Sequence, residues 1–384
     1  MRQRTFFLTV STALVTAILA LPSIAVALPP PASSVASEHV CASPAPGNAQ
    51  CFAMVVTPSK NSANTATPTG LAPAQIKTVY NFPTSTSAGN SQTIGIVDAY
   101  NDPTAASDLN YFSNYYSLPL CSGCFRQVNQ NGGTSLPRTN SGWALEISLD
   151  IEWAHAIAPG AKILLVEAKS ASFSDLLTAE RYAAANANYV SNSWGGSESS
   201  GETSYDSSFT SSSGKVSFFV SAGDSGLPAQ YPSSSPNVIS VGGTTLTFNT
   251  NGTLASETGW TSGGGGCSAY ETANSAQSSF AQYQNDQCNG KRATPDVSLD
   301  ADPSSGVSVY DTTTYQGNSG WWTVGGTSAS SPMWAARSAD QGVTVNAGYV
   351  YASNITFRDI TTGGNTGGCQ VGLDLCSGRG SWTN

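Results

Sequence analysis

Gly325-Gly326-Thr327-Ser328-Ala329-Ser330-Ser331-Pro332 follows a β-like run, Trp321 to Val324, and leads into an alanine-rich helical segment, Met333 to Ala339. The glycines allow a strand to turn sharply into a helix. The helix N-terminus then sets unpaired N–H groups and a partial positive charge beside the Ser328 hydroxyl. A nucleophile is presented in this way, although a Ser/Thr N-cap with proline in the first turn gives the same pattern without chemistry. The partners of Ser328 decide between the two.

The run is similar to the G-T-S-x-x-x-P nucleophile motif of the subtilisin-like clan, so the base that takes the serine proton has to be found. The chain has two histidines, His39 in the leader and His155, and neither sits in the glycine- and threonine-flanked setting of subtilisins. A Ser-His-Asp triad would have to rest on His155. Carboxyls offer another base. Glu146-Ile147-Ser148-Leu149-Asp150 lies within a helical run, Gly142 to Ala158, and residues i and i+4 share a helix face. Two like charges on one face share a proton, which raises one pKa and leaves a carboxylate able to act as a base in acid. His155 falls on the opposite face and reads as a packed or surface histidine, while Glu152 reads as the solvent-facing acid of this helix.

Apolar strand-like runs alternate with helical ones: Thr93 to Val97, Lys162 to Val166, Tyr189 to Ser193, Val216 to Ala222 and Val238 to Val241, with helices at Gly142 to Ala158 and Phe173 to Asn186. The pattern predicts an α/β domain with a mostly parallel central sheet flanked by helices. Ligands of such sheets sit at the C-terminal strand ends, which singles out Asp98, Asn192 to Gly196 and Asp224 alongside Ser328.

Three motifs then carry a specific resemblance. Glu146-x-x-x-Asp150, Ser221-Ala222-Gly223-Asp224-Ser225-Gly226 and Gly326-Thr327-Ser328 stand in the order and approximate spacing of the sedolisins, the serine-carboxyl peptidases. Val190 to Gly195, Gly259 to Gly266 and Arg292 to Ser298 support it. The resemblance covers residues 70–384 and implies a subtilisin-like fold. It also implies Ser328 as nucleophile, Glu146 as general base and then acid, Asp150 as the carboxyl that orients Glu146, and Asp224 as oxyanion donor. Asn192 to Gly196 would pair with the substrate backbone, and Ala222 and Gly223 would lie near the pocket for the side chain before the cut. Asp98 is expected to be structural or substrate-facing. Asp359, Ile360, Gln370, Gly372 and Asp374 look like the family's site for one structural Ca2+, with an Asx-turn pair stapled by cysteines as the alternative.

The N-terminal segment Met1 to Ala27 has Arg2 and Arg4, an apolar run and a small-residue cleavage site, and reads as a secretory signal peptide. Residues 28–69 read as a short leader or linker and possible propeptide, shorter than the family's folded one, and 70–384 as the peptidase domain. The segment from Pro332 to Asp359 is also shorter than usual for the family.

A formal charge of −9, which becomes −11 once Arg2 and Arg4 leave with the signal peptide, argues against nucleic acid and membrane as partners of the mature protein, and only 10% of residues are charged where about 25% is usual. Fewer ion pairs means less to lose in acid. Eight cysteines in near pairs, Cys41/Cys51, Cys121/Cys124, Cys267/Cys288 and Cys369/Cys376, suggest local disulfides. Half a zinc site at Cys121 and Cys124 is the weaker alternative, for want of a matching second cluster.

The expected protein is therefore a secreted, extracellular, monomeric peptidase that cuts protein or peptide substrates at about pH 3 to 5, where carboxyl pairs are half-ionised. A secreted binding protein on a catalytically inactive peptidase fold is the alternative.

Overall fold

The structure, a computed structural model, describes residues 35–57, 67–286 and 288–383. The expected signal peptide lies outside the described residues. The central sheet is ordered Leu254–Gly259, Ile239–Phe248, Ser217–Ser221, Tyr189–Asn192, Thr93–Ala99, Lys162–Ala168, Phe125–Asn129, with Val297–Asp300 also paired to Ile239–Phe248. All its pairs are parallel except Ile239–Phe248 with Leu254–Gly259. The five expected strands are all present. Apart from Thr93, Lys162 and the far end of Ile239–Phe248, their residues are buried on both faces, which is why they read as apolar runs.

Two helices carry the site. Ser141–Ile157 is capped by Asn140, whose Oδ1 accepts from the Gly142 and Trp143 amides at 3.1 Å each. Every residue from Gly142 to Ile157 is buried. A helix covered on all sides has no solvent face, and the expectation for Glu152 fails on that ground: it is fully buried, and its Oε2 accepts from the Tyr310 amide at 3.0 Å. The second helix, Thr327–Gln341, starts on Gly326 with φ 93°, where a Cβ would stand 1.9 Å from the Phe52 carbonyl oxygen. Gly342 ends it in the left-handed conformation, and Pro332 lies within it.

The four disulfides join the near pairs: Cys41–Cys51, Cys121–Cys124, Cys267–Cys288 and Cys369–Cys376. None of the described helices is long and apolar enough to cross a membrane.

The leader departs from the linker expected of it. Ser37–His39, Gln50–Cys51 and Met54–Val56 are strands, and Val40, Cys41, Cys51, Phe52, Ala53 and Val55 are buried. Met54–Val56 joins Ser37–His39 on one side and Asn318–Gly325 on the other, both antiparallel. Gln50–Cys51 pairs antiparallel with Trp194–Ser197. The segment between these two pairings crosses the C-terminal ends of the sheet, beside Ser328.

Candidate active site

Ser328 is the second residue of its helix and has no solvent exposure. Its hydroxyl donates to the Ser193 carbonyl at 3.4 Å. The same hydroxyl is among the groups that hold down the Glu146 pKa, so the serine and the glutamate are partners. Glu146 and Asp150, one turn apart, are both fully buried. Burial raises the Glu146 pKa well above the ordinary value, and the charge of Asp98 raises it further. Asp150 is raised by burial, then by Asp98 and Glu146, against the Ser193 hydroxyl that donates to its Oδ1 at 2.9 Å. Three carboxyls thus share one buried space, with no cation beside them among the described residues.

Asp98, singled out in the sequence by its place at a strand end and expected to be structural or substrate-facing, joins this group. It sits near the end of the Thr93–Ala99 strand, fully buried, with no hydrogen-bond partner among the described residues on either oxygen. Burial, helped by Glu167, pushes it up to about 8. Its place at a strand end was visible in the sequence. Its contact with the helix carboxyls was not, because that depends on how the buried helix crosses the sheet.

Asp224 follows the Ser217–Ser221 strand and comes to the helix start from the opposite side. Its Oδ1 accepts from the Thr327 amide at 2.8 Å and the Thr327 hydroxyl at 2.9 Å, and its Oδ2 has no partner. Burial pushes this carboxyl up to about 7, against both Thr327 bonds. An acid held neutral can donate from the oxygen left free.

That free oxygen faces the leader. The place a Cβ on Gly326 would take lies 2.8 Å from Asp224 Oδ2 and 1.9 Å from the Phe52 carbonyl oxygen. The Ser328 amide points at the same carbonyl from 3.5 Å. The next amide, of Ala53, donates to Glu146 Oε2 at 2.9 Å.

His155 stands apart from this group. Its Nε2 is 2.8 Å from the Pro119 carbonyl, close to Cys121 and Cys124, and burial lowers its pKa. The fold therefore brings a histidine to that cysteine pair, which the spacing did not foretell, but the two sulfurs are bonded to each other.

At the expected calcium loop, Asp359 Oδ2 accepts from the Gly372 amide at 2.9 Å and Asp374 Oδ2 from the Gln370 amide at 2.8 Å. Both carboxylates therefore border the loop 370–372. Asp374 Oδ1 also accepts from Cys376, Ser377 and the Ser377 hydroxyl, as in a tight turn. The carbonyls of Ile360, Gln370 and Gly372 accept no hydrogen bond among the described residues. Two carboxylates and three uncommitted carbonyls are a donor set that a hard cation fits.

The site defines a class: a serine at a buried helix start, with carboxyls and, among the described residues, no histidine beside it, on a subtilisin-like α/β fold. The subtilase profile matches residues 132–341, and the chain belongs to that family. Within it the likeness is to the sedolisins. Kumamolisin of Bacillus sp. (strain MN-32) is 30% identical over 359 residues, covering 82% of this chain and 62% of its own length. Sedolisin of Pseudomonas sp. (strain 101) is 32% identical over 203 residues, 43% of this chain and 33% of that protein. The chain thus spans less than two thirds of these relatives. A solved Pseudomonas sedolisin, a serine-carboxyl proteinase complexed with two molecules of pseudo-iodotyrostatin, superposes with TM-score 0.67 at 26% identity, covering 83% of this chain and 96% of that one. Fervidolysin from Fervidobacterium pennivorans, at 15% identity and TM-score 0.50, shares the fold.

Proposed function

We propose that the protein is a secreted serine-carboxyl peptidase that hydrolyses peptide bonds in acid. The observation that carries this reading is the company of Ser328: Glu146, Asp150 and Asp98 on one side, Asp224 on the other, and, among the described residues, no histidine. In the mechanism, Glu146 takes the Ser328 proton as Oγ attacks the substrate carbonyl, and Asp150 holds Glu146 in place. The Ser328 amide and protonated Asp224 receive the oxyanion. Glu146 then returns the proton to the leaving amine, and water discharges the acyl enzyme by the same steps in reverse.

Two protonation conditions set the pH range. The Glu146, Asp150 and Asp98 group has to lose its first proton before Asp224 loses its own, so although burial raises all of these carboxyls, activity requires one proton of the group to leave below about 7. Asp224 keeps its proton up to about 7, so the rate should follow a bell whose alkaline limb lies at or below that value.

One Ca2+, held by the side chains of Asp359 and Asp374 and the carbonyls of Ile360, Gln370 and Gly372, would brace the C-terminal loops. Bound there, it supplies cross-linking charge and takes no part in the reaction.

The test is digestion of a denatured protein at acid pH by the wild type and by Ser328→Ala. Cleavage lost in the variant, with an unchanged melting temperature, supports the reading. Equal cleavage by both, or a wild-type optimum above neutrality, overturns it.

A further inference from the structure

The leader runs through the site as a substrate would. On the N-terminal side, Gln50 and Cys51 pair antiparallel with Gly195 and Trp194, and the Phe52 amide donates to the Ser193 carbonyl at 3.1 Å. On the C-terminal side, Met54 and Val55 pair antiparallel with Gly325 and Val324, the end of the strand that runs into Ser328. Strand addition on both flanks fixes the backbone between them. There the Phe52 carbonyl oxygen lies 3.5 Å from the Ser328 amide, against the face of Gly326 that the free oxygen of Asp224 also borders, and the Ala53 amide donates to Glu146 Oε2 at 2.9 Å. These are the positions of a scissile carbonyl and of a leaving nitrogen. The Phe52 ring is buried to 4% exposure, with ring atoms 2.9 Å from where a Cβ on Gly195 would stand. Glycine at 195 is what leaves room for that ring.

We infer that the leader is this site's first substrate and that Phe52–Ala53 is the bond it cuts in its own chain. The inference rests on the peptidase reading above. Ser328 Oγ bonds to the Phe52 carbonyl carbon as its proton passes to Glu146. The C–N bond to Ala53 breaks as Glu146 gives that proton to the leaving amine, and one water then hydrolyses the Phe52 ester and restores Ser328. The products are a leader ending in the Phe52 carboxylate, with Cys41–Cys51 intact inside it, and a domain beginning at Ala53. Both new ends stay held by their strands, so the cleft opens no sooner than the cut. A pocket that accepts Phe52 also assigns a substrate class: peptides with an aromatic or large apolar residue before the cut.

The experiment uses the full chain, purified near neutrality and shifted to acid, and follows intact mass and N-terminal sequence. The expected new terminus is Ala53-Met54-Val55-Val56, formed with a first-order rate that does not change across a hundredfold dilution. Neither Ser328→Ala nor Glu146→Gln should form it, with circular dichroism used to check that each variant is folded. Phe52→Asp should slow the cut at least tenfold. Digestion of an added denatured protein should begin no earlier than the cut.

A wild type that digests the added protein while its terminus lies elsewhere, or whose cut slows on dilution, overturns the inference and leaves the peptidase reading standing. A folded wild type that cuts neither itself nor the added protein overturns that reading itself.

Discussion

Two buried acid sites, both reached by the same polypeptide, have opposite electrostatics. Around Ser328, Glu146, Asp150 and Asp98 are buried with no cation among the described residues in reach, and their pKa values rise. At Asp296 the burial is equal, yet Arg292 meets the carboxylate with both terminal nitrogens, and Tyr351 and the Ser240 amide donate to it as well. Burial alone therefore does not decide what a carboxyl does here; the presence of a cation decides. One site is built to hold a charge, the other to trade protons.

Removing the acid from each site breaks the comparison most directly. Glu146→Gln should cut turnover on a denatured protein roughly 10⁴-fold or more, with the melting temperature unchanged or raised, because an uncompensated carboxyl is lost. Asp296→Ala should instead cost about 3–5 kcal/mol in a denaturant titration, because Arg292 is left buried and unpaired. A Glu146 variant that unfolds, or an Asp296 variant that is as stable as wild type, would erase the distinction.

Asp224 tests the neutral-acid half of the argument. Asp224→Ala should lose about 10²–10³-fold in kcat, and Asp224→Asn, which donates without needing a proton, should keep part of the rate and lose part of the alkaline limb.

The same contrast reaches stability. Asp98, Glu167, Glu180 and Asp311 are pushed up to about 8 and Asp224 to about 7, chiefly by burial. Each has a folded pKa above its unfolded value of about 4, so the folded state binds the proton more tightly. Their contribution is complete below about pH 4 and is lost as pH rises through 7 to 8. Melting temperature should therefore be highest in acid and fall toward pH 8. The smallest effect should come from chelation, which should lower the melting temperature by a few degrees, with added Ca2+ restoring it. A flat response would favour the tight turn that already surrounds Asp374.

How much of this could be read beforehand varied with the kind of residue. The strands were legible because burial on both faces leaves apolar runs, and Ser328 was legible because Gly326 marks its turn. The pair Glu146 and Asp150 followed from helical spacing. Glu152 was misjudged because spacing assigns faces only where a helix has a wet side, and Ser141–Ile157 has none. The leader was opaque because its strands are two or three residues long, too short to show a period. Its one signal was the unbroken apolar run of residues 51–56 in a stretch otherwise rich in proline, serine and alanine.

That run has a further consequence for how the site can be reached. The Phe52 carbonyl is covalently tethered beside Ser328, and its local concentration is set by the chain and not by the solution. Well-oriented intramolecular reactions reach effective molarities of roughly 10⁵–10⁸ M, so Ser328 reacts with this carbonyl ahead of any dissolved peptide. Diluting the protein cannot shed a segment of its own chain. Access is governed by whether the chain between Cys51 and Met54 is continuous.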